Sequence, residues 1–103
     1  MAEFVTVASV DDIPPGERIV VEVDDRFIAV FNVDGQFYAI ADLCTHDDGP
    51  LAEGKLAGYR IECPRHSGAF DIRTGAVLSW PATRPVPRYE VRVVDGEVQV
   101  ALD

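Results

Sequence analysis

The chain has 103 residues and a net charge of −9, with eighteen acids against nine bases. That length supports one domain with one modest core, and the acidic balance excludes nucleic acid, whose phosphates need a basic face. No apolar run approaches the ~18–20 residues that span a bilayer, and the opening Met-Ala-Glu-Phe-Val lacks the cationic and apolar parts of an export leader. The expectation is a cytoplasmic protein that does not enter the membrane, whose acidic surface suits short-lived docking on a basic partner.

Residues 3–8 alternate and are rich in β-branched side chains, which predicts a first strand. Ser9 to Ile13 predict one capped helical turn, with Ser9 accepting from the Asp12 amide and Pro14-Pro15-Gly16 ending it. Strands follow at 17–23 and 26–33 around the tight turn Asp24-Asp25. Asp34-Gly35 signals a two-residue hairpin, because a type I′ turn needs positive φ at both central positions. It returns the chain as a strand over 36–41, which leads into Leu43 and Cys44.

Farther on, Gly54 to Gly58 reads as a turn-rich connection and 59–62 as a short strand leading into Cys63. Short strands over 70–72 and 76–78 flank the Thr74-Gly75 turn. Ser79 to Pro87 holds three prolines and cannot join a central strand. A hairpin of 88–94 and 97–102 across Asp95-Gly96 closes the chain. Ten residues of helical periodicity occur nowhere, so the fold class is all-β, with about ten short antiparallel strands. The longer strands and most of the Val, Ile and Phe fall in 1–42 and 86–103, expected to form a base. The short strands, glycines and prolines of 43–85 set them apart as a second subregion.

The chain contains two cysteines and two histidines, and all four lie between Cys44 and His66: Cys44-Thr45-His46, sixteen residues, then Cys63-Pro64-Arg65-His66. Two thiolates and two imidazoles carried on two short loops make a ligand set. This pattern resembles the Rieske iron–sulfur signature, in which two Cys hold one iron of a 2Fe–2S cluster and two His hold the other. The flanks agree: Thr45, Pro64, Gly68, Phe70 and Asp71, then Asp34-Gly35, Tyr38-Ala39-Ile40, Thr74-Gly75 and the proline loop of 81–87. The resemblance covers nearly the whole chain. It is strongest to the small soluble Rieske ferredoxins of bacterial ring-hydroxylating dioxygenases.

The resemblance implies one 2Fe–2S cluster, held by Cys44, His46, Cys63 and His66, in a lobe spanning 43–85. It places His46 and His66 at an exposed tip and Cys44 and Cys63 on the buried side. A disulfide between the two cysteines is the first competing reading, disfavoured in a reducing cytosol. A Cys2His2 zinc site is the second. Zinc modules pair like ligands in Cys-x(2–4)-Cys and His-x(3–5)-His, whereas each loop here carries one of each, which suits a cluster in which both loops reach both irons.

Charge counting explains the mixture. Two Fe³⁺, two sulfides and two thiolates sum to zero, where four thiolates would leave a dianion, so neutral histidines raise the potential. High-potential relatives add a cysteine to each ligand loop, joined as a disulfide, and place Ser and Tyr hydroxyls on the cluster sulfurs. The matching positions here hold Gly49 and Arg65, and Gly68 and Phe70. Fewer donors on sulfur leave the reduced state less stabilised, which predicts a potential near the low end of the Rieske range, about −150 mV. Ser67 is an alternative donor.

Trp80-Pro81 matches the loop that covers the cluster in the family, where a small residue precedes the proline. Packing of Trp80 on Leu78 or Pro85 is preferred over shielding of the cluster. Asp47, Asp48, Arg65, Arg84 and Arg88 are candidates for the rim of the tip.

The functional expectation is a one-electron carrier. It would take an electron from a flavoprotein reductase and pass it to a terminal, aromatic ring-hydroxylating oxygenase by transient docking at the His46/His66 tip, as a monomer. No histidine remains for a second, catalytic iron, so the chain is expected to serve an enzyme system without being its catalyst. The alternatives are a Rieske-like small subunit of a larger reductase, such as nitrite reductase, and a structural zinc domain.

Overall fold

The computed structural model describes residues 3–43, 50–64, 68–80 and 82–102. Among them run eleven strands: β1 (Phe4–Ser9), β2 (Arg18–Val23), β3 (Arg26–Val33), β4 (Gln36–Ala41), β5 (Lys55–Ala57), β6 (Arg60–Glu62), β7 (Ala69–Asp71), β8 (Val77–Ser79), β9 (Arg88–Tyr89), β10 (Val91–Val94) and β11 (Glu97–Ala101). One 3₁₀ turn, Val10–Asp12, is the only helical element among the described residues. Its cap is the expected one: the Ser9 side chain accepts from the Asp12 amide and the Ser9 amide donates to Asp12 Oδ2 at 2.9 Å, a capping box to which the Asp11 amide adds a bond to Ser9 Oγ at 3.3 Å.

The strands form three antiparallel sheets, ordered β1-β11-β10, β2-β3-β4-β9 and β5-β6-β7-β8. Local chemistry sets three of the hairpins. Asp24 and Asp25 (φ 51° and 63°), Asp34 and Gly35 (52° and 88°), and Asp95 and Gly96 (51° and 78°) are the positive-φ pairs that a type I′ turn demands.

Two expectations are corrected. The connection after Gly54 is a strand, β5, paired with β6 through Lys55↔Glu62 to Ala57↔Arg60. Its turn uses Gly58 at φ 62°, so the glycines bracket a strand instead of replacing one. The stretch 88–94 is two strands and not one. β9 pairs with β4 in the central sheet and β10 with β11 in the first sheet, so the chain changes sheets at Glu90, whose carbonyl accepts from the Ala101 amide at 2.9 Å.

The inner strands β3 and β4 of the central sheet contribute buried residues on both sides. Alternate residues of a strand point to opposite faces. Thus Ile28 and Val30 of β3 and Ala39 of β4 pack with Ile13, Val98 and Val100 beneath the first sheet. Ala29 and Phe31 of β3 and Ile40 of β4 pack the other way, with Leu51, Ile61, Cys63, Phe70 and Ile72. The third sheet is drawn from the single stretch 55–79, but its core is completed by central-sheet side chains. Asn32, the buried polar residue of β3, is hydrogen-bonded at both side-chain amide atoms and at both backbone groups. Its Nδ2 donates to Ile13 O (2.7 Å), its Oδ1 accepts from the Gly35 amide (2.8 Å), and its backbone pairs with Glu17 and Gly16. It ties the end of the 3₁₀ turn to the β3–β4 hairpin.

Candidate metal centre

Of the four expected ligands, Cys63 is described; Cys44, His46 and His66 lie outside the described residues, as do Asp47, Asp48, Gly49, Arg65, Ser67 and Pro81. Among the described residues no group of three or more His, Cys, Asp or Glu converges on one point. What the structure shows is how the ends of both ligand loops are held.

The first loop leaves β4 at Asp42 and Leu43. The Asp42 amide donates to Phe27 O at 2.9 Å, and Asp42 Oδ1 accepts from the Ala52 amide at 2.7 Å, so one side chain closes the loop from entry to exit. Leu51 is fully buried and Ala52 nearly so, in the same cluster as Cys63. Gly54 then presses against the strand that leads into Cys63: a Cβ added there would overlap the Glu62 carbonyl and come within 3.2 Å of Leu51 O. Arg18 of β2 reaches across to donate to Gly54 O at 2.9 Å. The exit of the first loop and the entry of the second are therefore packed side by side.

The second loop joins β6 to β7. Its neck is closed by the Cys63 amide donating to Gly68 O at 2.8 Å, next to the pair Glu62↔Ala69. Cys63 is a free thiol, 2% exposed, among Leu51, Ala52, Phe70 and Ala82. A metal takes a cysteine as its thiolate. A buried thiol at the neck of a loop that also carries a histidine in sequence fits the inner ligand of a metal–sulfur centre. Gly68 and Phe70 are both buried, and Phe70 fills the core without a hydroxyl.

The proline loop is fastened at its far end. The Val86 amide donates to Gly75 O at 2.9 Å. Gly75 has φ 81°, and a Cβ there would overlap the Val86 carbonyl, which accounts for the Thr74-Gly75 pair. Trp80 departs from expectation. It is 78% exposed and Leu78 is 48% exposed, so the indole is no packed lid.

One feature had no signal in the sequence. Tyr38 of β4 meets Tyr59 edge to face at 5.7 Å between centroids, and the Arg73 guanidinium lies 4.1 Å over the Tyr59 ring. Arg73 holds Asp71 through Nε (3.1 Å) and Nη2 (2.9 Å). The hydrogen bonds from Arg73 hold the Asp71 carboxyl below the usual range, and burial followed by the neighbouring Tyr59 pushes the Tyr38 phenol up. Asp71 also accepts from the amides of Arg73 and Gly75. It therefore shapes the turn that anchors the proline loop, and the aromatic pair fastens the third sheet to the central one.

Comparison with known proteins agrees with this layout. The family model described as Rieske 2Fe–2S domain matches residues 3–90. The chain is 44% identical to the biphenyl dioxygenase ferredoxin subunit of Pseudomonas sp. (strain KKS102), over 94% of this chain and 90% of that one. Its structure superposes on the ferredoxin of carbazole 1,9a-dioxygenase from Nocardioides aromaticivorans IC177 with a TM-score of 0.92, at 37% identity, covering 97% of this chain and 98% of the other. A complex of reduced oxygenase and oxidised ferredoxin in carbazole 1,9a-dioxygenase contains a chain 44% identical to this one, with a TM-score of 0.89 and coverage of 95% and 92%.

Proposed function

The chain belongs to the Rieske 2Fe–2S domain family, and from that premise we propose that it is the electron-carrying ferredoxin of a ring-hydroxylating dioxygenase system. The observation that carries this reading is similarity over nearly the full length of both chains to ferredoxin components of such systems. Membership implies one Rieske 2Fe–2S cluster, which takes up and releases one electron when bound. Cys44 and Cys63 would hold one iron, and His46 and His66 the other.

The chain's own residues do the rest. Cys63 supplies a thiolate from the apolar side, where Leu51, Phe70 and Ala82 exclude water. The closures at Asp42–Ala52 and Cys63–Gly68 hold the necks of both ligand loops, so little has to rearrange when charge changes. The lobe bearing the ligands is taken as 43–85 and the base as 1–42 with 86–103. The relatives' role as ferredoxin components supports a carrier over a catalyst. A flavoprotein reductase would supply the electron and a terminal oxygenase would receive it at the His46/His66 tip.

The reading also takes the protein to be cytoplasmic and monomeric; among the described residues no helix is long and apolar enough to cross a membrane. Purified protein should be red-brown, with iron and acid-labile sulfide in equal amounts, about two of each per chain. Colourless protein holding one zinc would overturn the reading.

A further inference from the structure

We propose that Trp80 and Leu78 form the apolar anchor by which the protein docks on its electron acceptor, seated in an apolar recess of the oxygenase that is ringed by basic side chains. The inference rests on the carrier reading and names a surface that serves it. A tryptophan offers 150–250 Å² for burial, by the usual range for aromatic side chains, yet the fold leaves Trp80 78% exposed. Single exposed apolar residues need no explanation, but here two lie two residues apart at the end of β8. Val77 packs against the core, and the register shift between Val77 and Ser79 leaves Leu78 as the extra residue of the β7–β8 pairing.

Position adds a second reason. Among the described residues β8 is the outer strand of its sheet. Ser79 pairs with Ala69, the residue after Gly68, so β8 ends beside the neck of the second ligand loop and Trp80 follows directly in the chain. Gly68 closes the neck of the second ligand loop through its bond from Cys63, and His66 is two residues earlier in sequence. The anchor thus borders the loop from which the electron would leave.

Charge decides between occupants. Two copies of a chain with net charge −9 repel each other, which disfavours self-association through this face. The same charge attracts a partner with a basic rim and speeds encounter, while buried tryptophan supplies the central, charge-depleted contact that sets affinity.

The test uses pre-reduced holoprotein mixed rapidly with the oxygenase components of the biphenyl and carbazole 1,9a-dioxygenase systems. Trp80→Ala should raise the half-saturating concentration roughly thirtyfold, the size of a strong interface anchor, leaving the maximal rate and the midpoint potential unchanged. Trp80→Phe should recover most of the loss, and Val93→Ala, an exposed apolar change on β10, should have no effect. Trp80 is the sole tryptophan, so 5-fluorotryptophan labelling gives one ¹⁹F resonance, expected to shift on addition of oxygenase. An unchanged half-saturation in Trp80→Ala, or an unmoved resonance, overturns the docking inference and leaves the carrier reading standing. A changed potential with unchanged half-saturation also overturns it, by assigning the indole to the cluster. Failure of the unmutated protein to reduce either oxygenase overturns both.

Discussion

Replacing Gly54 with alanine tests whether the two ligand loops depend on their mutual packing. Gly54 is not among the positive-φ glycines, so the backbone would accept alanine; the obstacle is the Glu62 carbonyl, backbone that cannot swing aside. Forcing a methyl group into a packed site costs about 1–3 kcal/mol. The stiffer unfolded chain returns about 0.4–1 kcal/mol, leaving a net loss of about 1.3 kcal/mol from the midpoints. For a domain of this size that lowers the melting temperature by about 5–10 °C. The displaced strand leads straight into Cys63, so Gly54→Ala should also shed iron faster, measured as loss of visible absorbance under an excess of chelator. Gly58→Ala is the control: φ is 62° with nothing within 4 Å. It should lose about 1–2 kcal/mol from left-handed backbone strain while retaining iron like the unmutated protein. A melting temperature for Gly54→Ala within about 1 °C of the parent would refute the packing argument.

Four further outcomes are expected. His46→Ala or His66→Ala should abolish the mixed-ligand EPR signal of the reduced protein, and an unchanged signal would remove that residue from the ligand set. Voltammetry should find a midpoint near −150 mV, about the low end of the Rieske range; a value well above zero would show that Gly68 and Phe70 do not stand where hydroxyl donors act. Phe31→Ala removes a fully buried side chain from the cluster that contains Cys63 and should cost about 3–5 kcal/mol, read as a lower urea midpoint together with reduced iron content. Asp71 has a depressed pKa in the folded state, relative to a reference of 3.8. Its contribution is therefore complete above that reference and lost as pH falls below it. The stability gap between the parent and Asp71→Asn should be flat from about pH 7 to pH 5 and close on further acidification; a gap that widens in acid would reverse the assigned sign.

The family was legible because its marks are short in sequence. The Cys-x-His and Cys-x-x-His spacings are local, and the turn pairs Asp24-Asp25, Asp34-Gly35 and Asp95-Gly96 specify positive φ through their own backbone preferences. All four ligands are assigned by proposal; of them the structure describes Cys63, which is buried. The misread elements share a cause. β5 is three residues long, too short to show a period, and owes its strand geometry to pairing with β6. Asn32, Arg18 and Arg73 drew no attention because their partners, Ile13, Gly54 and Tyr59, are 19, 36 and 14 residues away.

By itself the sequence determined the all-β class, the three two-residue hairpins and the inventory of thiols and imidazoles, since each depends on residues within a few positions of one another. Tertiary structure decided that residues 88–94 divide between two sheets, that β3 is buried on both faces and so serves two cores, and that Trp80 is mostly exposed. Those outcomes depend on which surfaces meet. A run of β-branched residues states that a strand will form and is silent about how many faces it will bury. Only the stacking of the third sheet against Ala29, Phe31 and Ile40 brings the thiol of Cys63 into an apolar floor.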